Sequence, residues 1–227
     1  SPFAFTGNKF EFRMVGSRDS VAECNVVINT IVAEAFSDAC DRLEKAEDFE
    51  LAVHDLIKEY ATDHQKIVFN GNGYSDEWVE EAERRGLPNI KSMVDAVPAL
   101  TAPKAIKLFE SFGVFTESEL RSRAEIKYEA YAKAINIEAK SMIDIASKHI
   151  IPAVVSYTTE LANSVIAVSE AGVDSSTQKE LLDEVTKYLK EMKAALKKLT
   201  EVTEKASDIT EGKEQATYFR DVVKVAM

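Results

Sequence analysis

The stretch LLDEVTKYLKEMKAALKKLTEV, residues 181–202, carries the most regular apolar pattern in the chain. Spacings of three and four residues alternate along it, which is the a/d pattern of a heptad repeat. The seam consists of Leu182, Val185, Leu189, Met192, Leu196 and Leu199, and it is widened by Leu181, Tyr188, Ala195 and Val202. A broad apolar stripe with charged residues opposite is typical of a helix in an antiparallel helical hairpin. We interpret this stripe as core rather than as a groove for a cofactor or a lipid.

A second long helix is predicted just before this stretch. Thr116 and Glu119 form a capping box, and no strong helix breaker follows until Gly172, except Pro152. At about 1.5 Å per residue this run makes a rod of roughly 80 Å, which we expect Pro152 to kink. A further helix is predicted over residues 213–226. Residues 113–227 are therefore expected to form a long helical hairpin or bundle.

The preceding segment, residues 20–112, also shows helical spacing. It predicts helices over about 20–48, 49–65, 75–86, 91–97 and 103–112, with the third ending near Gly86 and the last stopped by Gly113. Between the second and third of these helices, NGNGY at residues 70–74 predicts a tight turn, because Asn-Gly pairs tolerate a positive φ. Ser75 is the expected cap of the next helix. An anion-binding turn is the alternative, but Asp76 and Glu77 in the first turn of that helix would repel an anion.

The opening stretch FTGNKFEFRMVGS, residues 5–17, alternates with a period of two and predicts a strand. One face would carry Lys9, Glu11 and Arg13 in a row. A carboxylate between two cations is held ionised and can ligate a hard cation such as Mg²⁺, while the cations can neutralise phosphate. The alternative is a half-exposed strand with a ladder of ion pairs. One carboxylate is not a complete metal site, so the residues by themselves leave both interpretations open.

Composition limits the classes of partner. The formal net charge of −11 argues against nucleic acid or an anionic membrane as a partner. No apolar run approaches the roughly 18 residues of a membrane span. The two cysteines, Cys24 and Cys40, lie far apart in one predicted helix, which indicates a reducing, cytoplasmic compartment. The abrupt ends of the chain lead us to expect a piece of a larger protein.

Several segments of the chain resemble type III glutamine synthetases. They are TGNKFEFRMVGS (6–17), NVVINTIVAE (25–34), HQKIVFNGNGYSDEWVEEAERRGLPN (64–89), LFESFGVFTESELRSRAEIKYEAYAKAINIEAKSM (108–142) and IIPAVVSY (150–157). The resemblance implies a mainly α fold, a helical bundle with a long antiparallel hairpin, preceded by one strand of a larger α+β catalytic barrel. It divides the chain into the last strand segment of the catalytic domain (1–19), helices packing on that domain (20–112) and a C-terminal helical extension (113–227).

The resemblance also implies an activity. Glutamine synthetases make glutamine from glutamate, ammonia and ATP through γ-glutamyl phosphate, with Mg²⁺ or Mn²⁺, and assemble as homo-oligomeric double rings. Their late barrel strand carries a basic-x-Glu-x-Arg pattern. By this resemblance Glu11 is a metal ligand, Arg13 contacts the transferred phosphate and glutamate, and Lys9 contacts the nucleotide phosphates. The rest of the site would lie upstream, so the chain alone is expected to be inactive and to bind no cofactor. The alternative is a non-enzymatic helical bundle that serves interaction or assembly, with no nucleic acid or membrane partner in either case.

Overall fold

A computed structural model of the chain describes residues 20–227 and, in the opening segment, the backbone of two short strands. The prediction of a mainly α fold is confirmed. The helices are α1 (Ala22–Leu43), α2 (Phe49–Asp63), α3 (Asp76–Arg84), α4 (Met93–Ala96), α5 (Pro103–Ser111), α6 (Glu117–Ile145), α7 (Ile151–Glu170), α8 (Ser176–Lys205), α9 (Gly212–Tyr218) and α10 (Lys224–Ala226). Short 3-10 turns cover Gln65–Ile67, Val97–Thr101 and Ala206–Asp208, and π turns cover Ala146–Ile150 and Phe219–Val223.

The described residues of the opening segment form two strands, where the sequence predicts one. β1 (Phe3–Phe5) pairs antiparallel with β2 (Phe10–Phe12), so that Ala4 lies opposite Glu11. β1 was not predicted as a partner because the stretch FAF is too short to show a period of two. Two three-residue strands form a marginal hairpin by themselves.

Three helices end in the same way, at the glycines where the sequence predicts a stop. After α3, α5 and α7 the chain passes through Gly86, Gly113 and Gly172, each with a φ between 64° and 74°. After α7, the amide of Gly172 donates to the carbonyl of Ser169 and the amide of Val173 to that of Val168. This is a Schellman motif, in which a left-handed residue closes the last turn of the helix.

Helix α6 runs through a π turn into α7, so that one helix extends from Glu117 to Glu170. Pro152 has no amide hydrogen, and in an α-helix its ring would clash with the carbonyl four residues earlier. The wider turn lies directly before it: the Ile151 amide donates to the Ala146 carbonyl, five residues back. The expected kink at Pro152 stays a prediction.

The same helix corrects one expectation from the sequence. By length and composition alone, Glu117–Glu170 is long and apolar enough to cross a membrane, and little of its apolar stretch is buried. The sequence argument considered uninterrupted apolar runs, whereas this helix contains scattered polar residues. The prediction that the protein has no membrane partner stays a prediction.

The contacts divide the chain into two compact units, Ser1–Leu120 and Arg121–Met227. In the first unit α1 packs against α2 and α5. Its buried residues include Leu56, Val94, Val97, Leu108 and Phe109.

In the second unit α7 packs along α8, and the short connection between them makes the pair antiparallel. The predicted hairpin is therefore confirmed, and the α8 seam is half-buried along most of its length and fully buried at Leu199. The segment after Gly212 folds back onto α8. The core joins four elements through Ala132, Ile135, Ala139, Leu199, Ala206, Phe219 and Val223.

Candidate functional site

The row of charges identified in the sequence is Lys9, Glu11 and Arg13, and the structure describes only part of it. Glu11 is the central residue of β2, where its backbone pairs with Ala4 of β1. Lys9 and Arg13 lie outside the described residues, and so does the side chain of Glu11. The roles of these three residues therefore stay predictions. The predicted strand that carries Glu11 is formed.

The described part of the chain contains no cluster of side chains typical of a metal site. Within it, no group of three or more His, Cys, Asp or Glu side chains could hold a metal ion.

A polar cluster in the first unit surrounds Arg85, which follows directly after α3. Its guanidinium donates to the carbonyls of Val68 at 2.8 Å and Lys66 at 3.2 Å, and to Glu81 at 2.5 Å. It also lies 5.5 Å from the centre of the Trp78 ring, within the range of a cation–π contact. Trp78 in turn stacks on Phe69 with 4.1 Å between ring centroids. Arg85 thus fastens the chain before the NGNGY turn to the helix after it.

Glu81 is the anionic centre of this cluster. Arg84 donates two hydrogen bonds to it, at 2.6 and 2.7 Å, in addition to the bond from Arg85. The hydrogen bonds from Arg84 and Arg85 lower the pKa of Glu81 from its ordinary value of 4.5 to about 2. The carboxylate is thus held ionised because each bond stabilises its charged form.

The NGNGY turn is closed by its own groups. The side-chain oxygen of Asn72 accepts a bond from the Tyr74 amide at 3.1 Å, and the Asn72 carbonyl accepts one from the Ser75 amide at 3.2 Å. Ser75 lies at the N-cap of α3 as predicted, but its hydroxyl donates to the Asn72 carbonyl instead of accepting from the helix. Because these two amides are engaged inside the turn, the geometry favours a structural turn over an anion cradle.

The predicted reason for the two glycines of this turn is wrong. Among the described residues, positive φ occurs at Gly86, Gly113 and Gly172, and not at Gly71 or Gly73. Gly71 is constrained in a different way, since a Cβ there would lie 2.6 Å from the far end of the Phe69 ring. The ring that stacks on Trp78 therefore occupies the space that a side chain at position 71 would need.

Sequence reasoning missed Arg85 and its stacked rings. The only local signal is the Glu81–Arg85 spacing of four residues, which is a common helix-surface pair. The contacts of Arg85 with Lys66 and Val68 span 19 and 17 residues, and no spacing rule predicts them.

Comparison with known proteins assigns the chain to a family. The family model for the glutamine synthetase C-terminal domain matches residues 52–169, which is more than half of the chain and includes the Arg85 cluster, α6 and most of α7. This chain belongs to that family. The resemblance to type III glutamine synthetases is confirmed by similar proteins. A type-3 glutamine synthetase of Dictyostelium discoideum is 42% identical over 171 residues, which cover 74% of this chain.

Two bacterial relatives extend the similarity over the opening strand. A glutamine synthetase of Butyrivibrio fibrisolvens is 36% identical over 238 residues and covers 100% of this chain. One from Bacteroides fragilis (strain YCH46) is 33% identical over 234 residues and covers 99% of the chain. The three alignments span 23%, 33% and 32% of these relatives' lengths, so the chain corresponds to a third of a glutamine synthetase or less.

Proposed function

We propose that this chain is the C-terminal part of a type III glutamine synthetase, an ATP-dependent glutamate–ammonia ligase that forms glutamine through γ-glutamyl phosphate. The family match over residues 52–169 carries the proposal, and the relatives named glutamine synthetase support it. The longer protein would use glutamate, ammonia and ATP with Mg²⁺ or Mn²⁺ and assemble as a homo-oligomeric double ring. A cytoplasmic location belongs to the same proposal and is supported by the free thiols of Cys24 and Cys40.

In this proposal the opening strand is one wall of the active site. Glu11 would be a ligand of the divalent metal, because carboxylate oxygens are what Mg²⁺ and Mn²⁺ prefer. Arg13 would contact the transferred phosphate and the substrate glutamate, and Lys9 the phosphates of ATP. Cationic side chains and a metal stabilise the negative charge that shifts between oxygens during phosphoryl transfer. Since the other acidic ligands lie elsewhere, the chain alone would be inactive.

The two remaining parts of the chain would support that wall. Residues 20–112 would pack on the catalytic domain, for which α1 and α2 offer exposed apolar side chains, among them Phe36 and Ile57. Residues 113–227 would form the extension, with a role in packing or assembly. The non-enzymatic assembly module is the second candidate. It is favoured by the exposed apolar side chains of α7, but it leaves the pattern of Lys9, Glu11 and Arg13 without a purpose.

The test is ATP-dependent glutamine formation by the longer protein that contains this chain. Replacing Glu11 by Ala should lower kcat roughly 100-fold or more at saturating Mg²⁺, because the metal supplies several kcal/mol of transition-state stabilisation. Glu138→Ala is the control, since Glu138 is exposed on α6 and far along the chain from the strand. Normal turnover by Glu11→Ala in an intact assembly would make the row of charges an ion-pair ladder and would refute the metal role.

A further inference from the structure

The NGNGY turn carries two copies of one chemically labile dipeptide. Asn70 precedes Gly71 and Asn72 precedes Gly73, and these are the only Asn-Gly pairs in the sequence. An asparagine side chain can react with the backbone nitrogen of the next residue, and glycine obstructs this approach least because it has no Cβ. Asparagine is accordingly counted among the thermolabile residues of proteins. Since both asparagines are followed by glycine, the structure of the turn decides which of them reacts first.

The reaction is deamidation through a five-membered ring. Hydroxide removes the proton of the glycine amide, and the nitrogen attacks the side-chain carbon Cγ of the asparagine. The bond between Cγ and Nδ2 then breaks, and Nδ2 takes a proton from water and leaves as ammonia. A second water molecule opens the cyclic imide at one of its two carbonyls, which gives aspartate or isoaspartate. Asparagine and water are thus converted into aspartate or isoaspartate and ammonia, with no oxidant or cofactor.

Asn72 is held by three hydrogen bonds that oppose this ring closure. Its side-chain oxygen accepts from the Tyr74 amide at 3.1 Å. Its carbonyl accepts from the Ser75 amide at 3.2 Å and from the Ser75 hydroxyl at 3.0 Å. To present Cγ to the Gly73 nitrogen, the side chain must rotate away from Tyr74 and the peptide plane after Asn72 must turn. Because both movements break hydrogen bonds, the turn protects Asn72.

Asn70 has the same following residue without these restraints. Among the described residues, no hydrogen bond is made by its side chain, by its carbonyl or by the Gly71 amide. Asn70 and Gly71 are both exposed, so hydroxide and water reach the pair. Arg85 binds the backbone two residues earlier, at the Val68 carbonyl, and the bonds of the turn begin two residues later, at Asn72. The peptide between Asn70 and Gly71 therefore lies between two fixed points, and no hydrogen bond to described residues opposes its rotation.

The stacked rings beside this peptide would respond to its modification. The far end of the Phe69 ring lies so close to Gly71 that a Cβ there would come within 2.6 Å of it. The same ring stacks on Trp78 with 4.1 Å between the centroids. Isoaspartate continues the chain through its side chain and thus inserts one extra backbone carbon between Phe69 and Gly71. This insertion moves Gly71 relative to the ring and disturbs the stack.

We propose that Asn70 is a deamidation site of the folded chain, that the turn protects Asn72, and that isoaspartate at position 70 loosens the stack of Phe69 on Trp78. The co-reactant is water and the leaving group is ammonia. The reaction needs neither the metal nor the substrates of the proposed function. Deamidation of the turn and glutamine formation by the longer protein therefore succeed or fail separately.

Mass spectrometry of the aged full chain tests the site. The chain is incubated at pH 8, once folded and once unfolded in guanidinium chloride, with the unaged chain as background. Trypsin releases residues 67–84 as one peptide, because Lys66 and Arg84 are its cleavage sites and no Lys or Arg lies between them. Fragment spectra assign the conversion to Asn70 or Asn72. The unfolded chain is the matched control, since it has the same sequence without the hydrogen bonds of the turn.

In the folded chain Asn70 should convert roughly fivefold or more faster than Asn72, since the loss of even one hydrogen bond slows the reaction by about this factor. In guanidinium chloride the two rates should become similar. Equal rates in the folded chain, or faster conversion of Asn72, would overturn the proposal. Conversion of Asn70 only after unfolding would overturn it as well, because the fold would then protect both asparagines.

Asn70→Gln separates the effect on the stack from other changes during ageing. Glutamine would have to form a six-membered ring, so this variant should stay unmodified at position 70. Fluorescence of Trp78, the only tryptophan, should change as isoaspartate accumulates in the wild type and stay constant in Asn70→Gln. Enzymatic methylation of the free α-carboxylate measures isoaspartate independently. The same fluorescence change in both proteins, or none in a chain converted to isoaspartate at Asn70, would refute the effect on the stack.

Discussion

At the scale of single residues, Arg85 connects distant parts of the first unit. One guanidinium joins two backbone carbonyls, a carboxylate and the face of an indole ring. Its planar fork of donors suits this task, which the compact ammonium of a lysine could not perform. The order of the NGNGY turn therefore depends on a side chain that lies beyond the following helix.

Arg85→Ala should destabilise the first unit by about 1–3 kcal/mol, because it leaves the carbonyls of Lys66 and Val68 and the carboxylate of Glu81 with fewer partners. Urea unfolding measures the change, and the fluorescence of Trp78, the only tryptophan in the chain, reports on the cluster itself. Arg84→Ala is the matched control. Arg84 is highly exposed and, within this cluster, bonds to Glu81 alone, so its loss should lower the stability much less than the loss of Arg85. Equal effects of the two variants would contradict the role of Arg85.

Glu81 predicts a pH dependence with a definite sign. Its pKa is about 2 in the folded chain and 4.5 ordinarily, so the unfolded state binds its proton first as the pH falls. The stabilisation is complete above about pH 4.5 and disappears as the pH approaches 2. The stability difference between the wild type and Glu81→Gln should therefore shrink over this window and stay constant between pH 5 and 7. Urea unfolding of both proteins at pH 3 and 6 measures this stability difference. A larger difference at pH 3 than at pH 6 would contradict the predicted direction.

At the scale of elements, the helix ends follow from local chemistry, whereas the irregular turn inside the long helix follows from it only in part. Each of the three predicted glycine stops has the left-handed backbone that ends a helix, and Thr116 and Glu119 bond reciprocally, as a capping box should. The π turn before Pro152 is an element that the sequence does not reveal. The proline removes one helix hydrogen bond and disfavours a regular α-turn, but only the surrounding packing decides whether the helix bends, breaks or widens.

Gly172→Ala should destabilise the hairpin by roughly 1 kcal/mol. The cost comes from the backbone alone, because φ at Gly172 is 74° and no atom lies within 4 Å of a Cβ built there. Gly172→Asn should cost less, because asparagine tolerates this conformation. In thermal unfolding, the melting temperature should decrease from the wild type to Gly172→Asn and then to Gly172→Ala. An alanine variant as stable as the wild type would mean that the connection between α7 and α8 relaxes to another turn.

At the scale of the whole molecule, the second unit is held together by a segment that returns from the C-terminal end of the chain. Phe219 and Val223 are almost completely buried against residues of α6, α8 and the turn after α8. The apolar spacing of residues 213–226 predicts a helix there, and the structure shows that the helix includes a second π turn.

Phe219→Ala should destabilise the second unit by about 3–5 kcal/mol, since it leaves a cavity in this core. Val225→Ala is the control from the same segment, because Val225 is 77% exposed and its truncation should change the stability by less than about 0.5 kcal/mol. Chemical denaturation monitored by circular dichroism compares them. A mild effect of Phe219→Ala would show that the segment does not contribute to the core as described.

The sequence by itself determined the helices, the glycine stops, the capping box and the heptad seam of α8, since each depends on groups within a few residues of one another. It also carried the family resemblance, and with it the roles predicted for Lys9, Glu11 and Arg13. Only the tertiary structure decided the pairing of β1 with β2, the contacts of Arg85 and the packing of the C-terminal segment on α8. These depend on which distant segments meet, because burial and long-range hydrogen bonds belong to the folded chain and not to any local spacing.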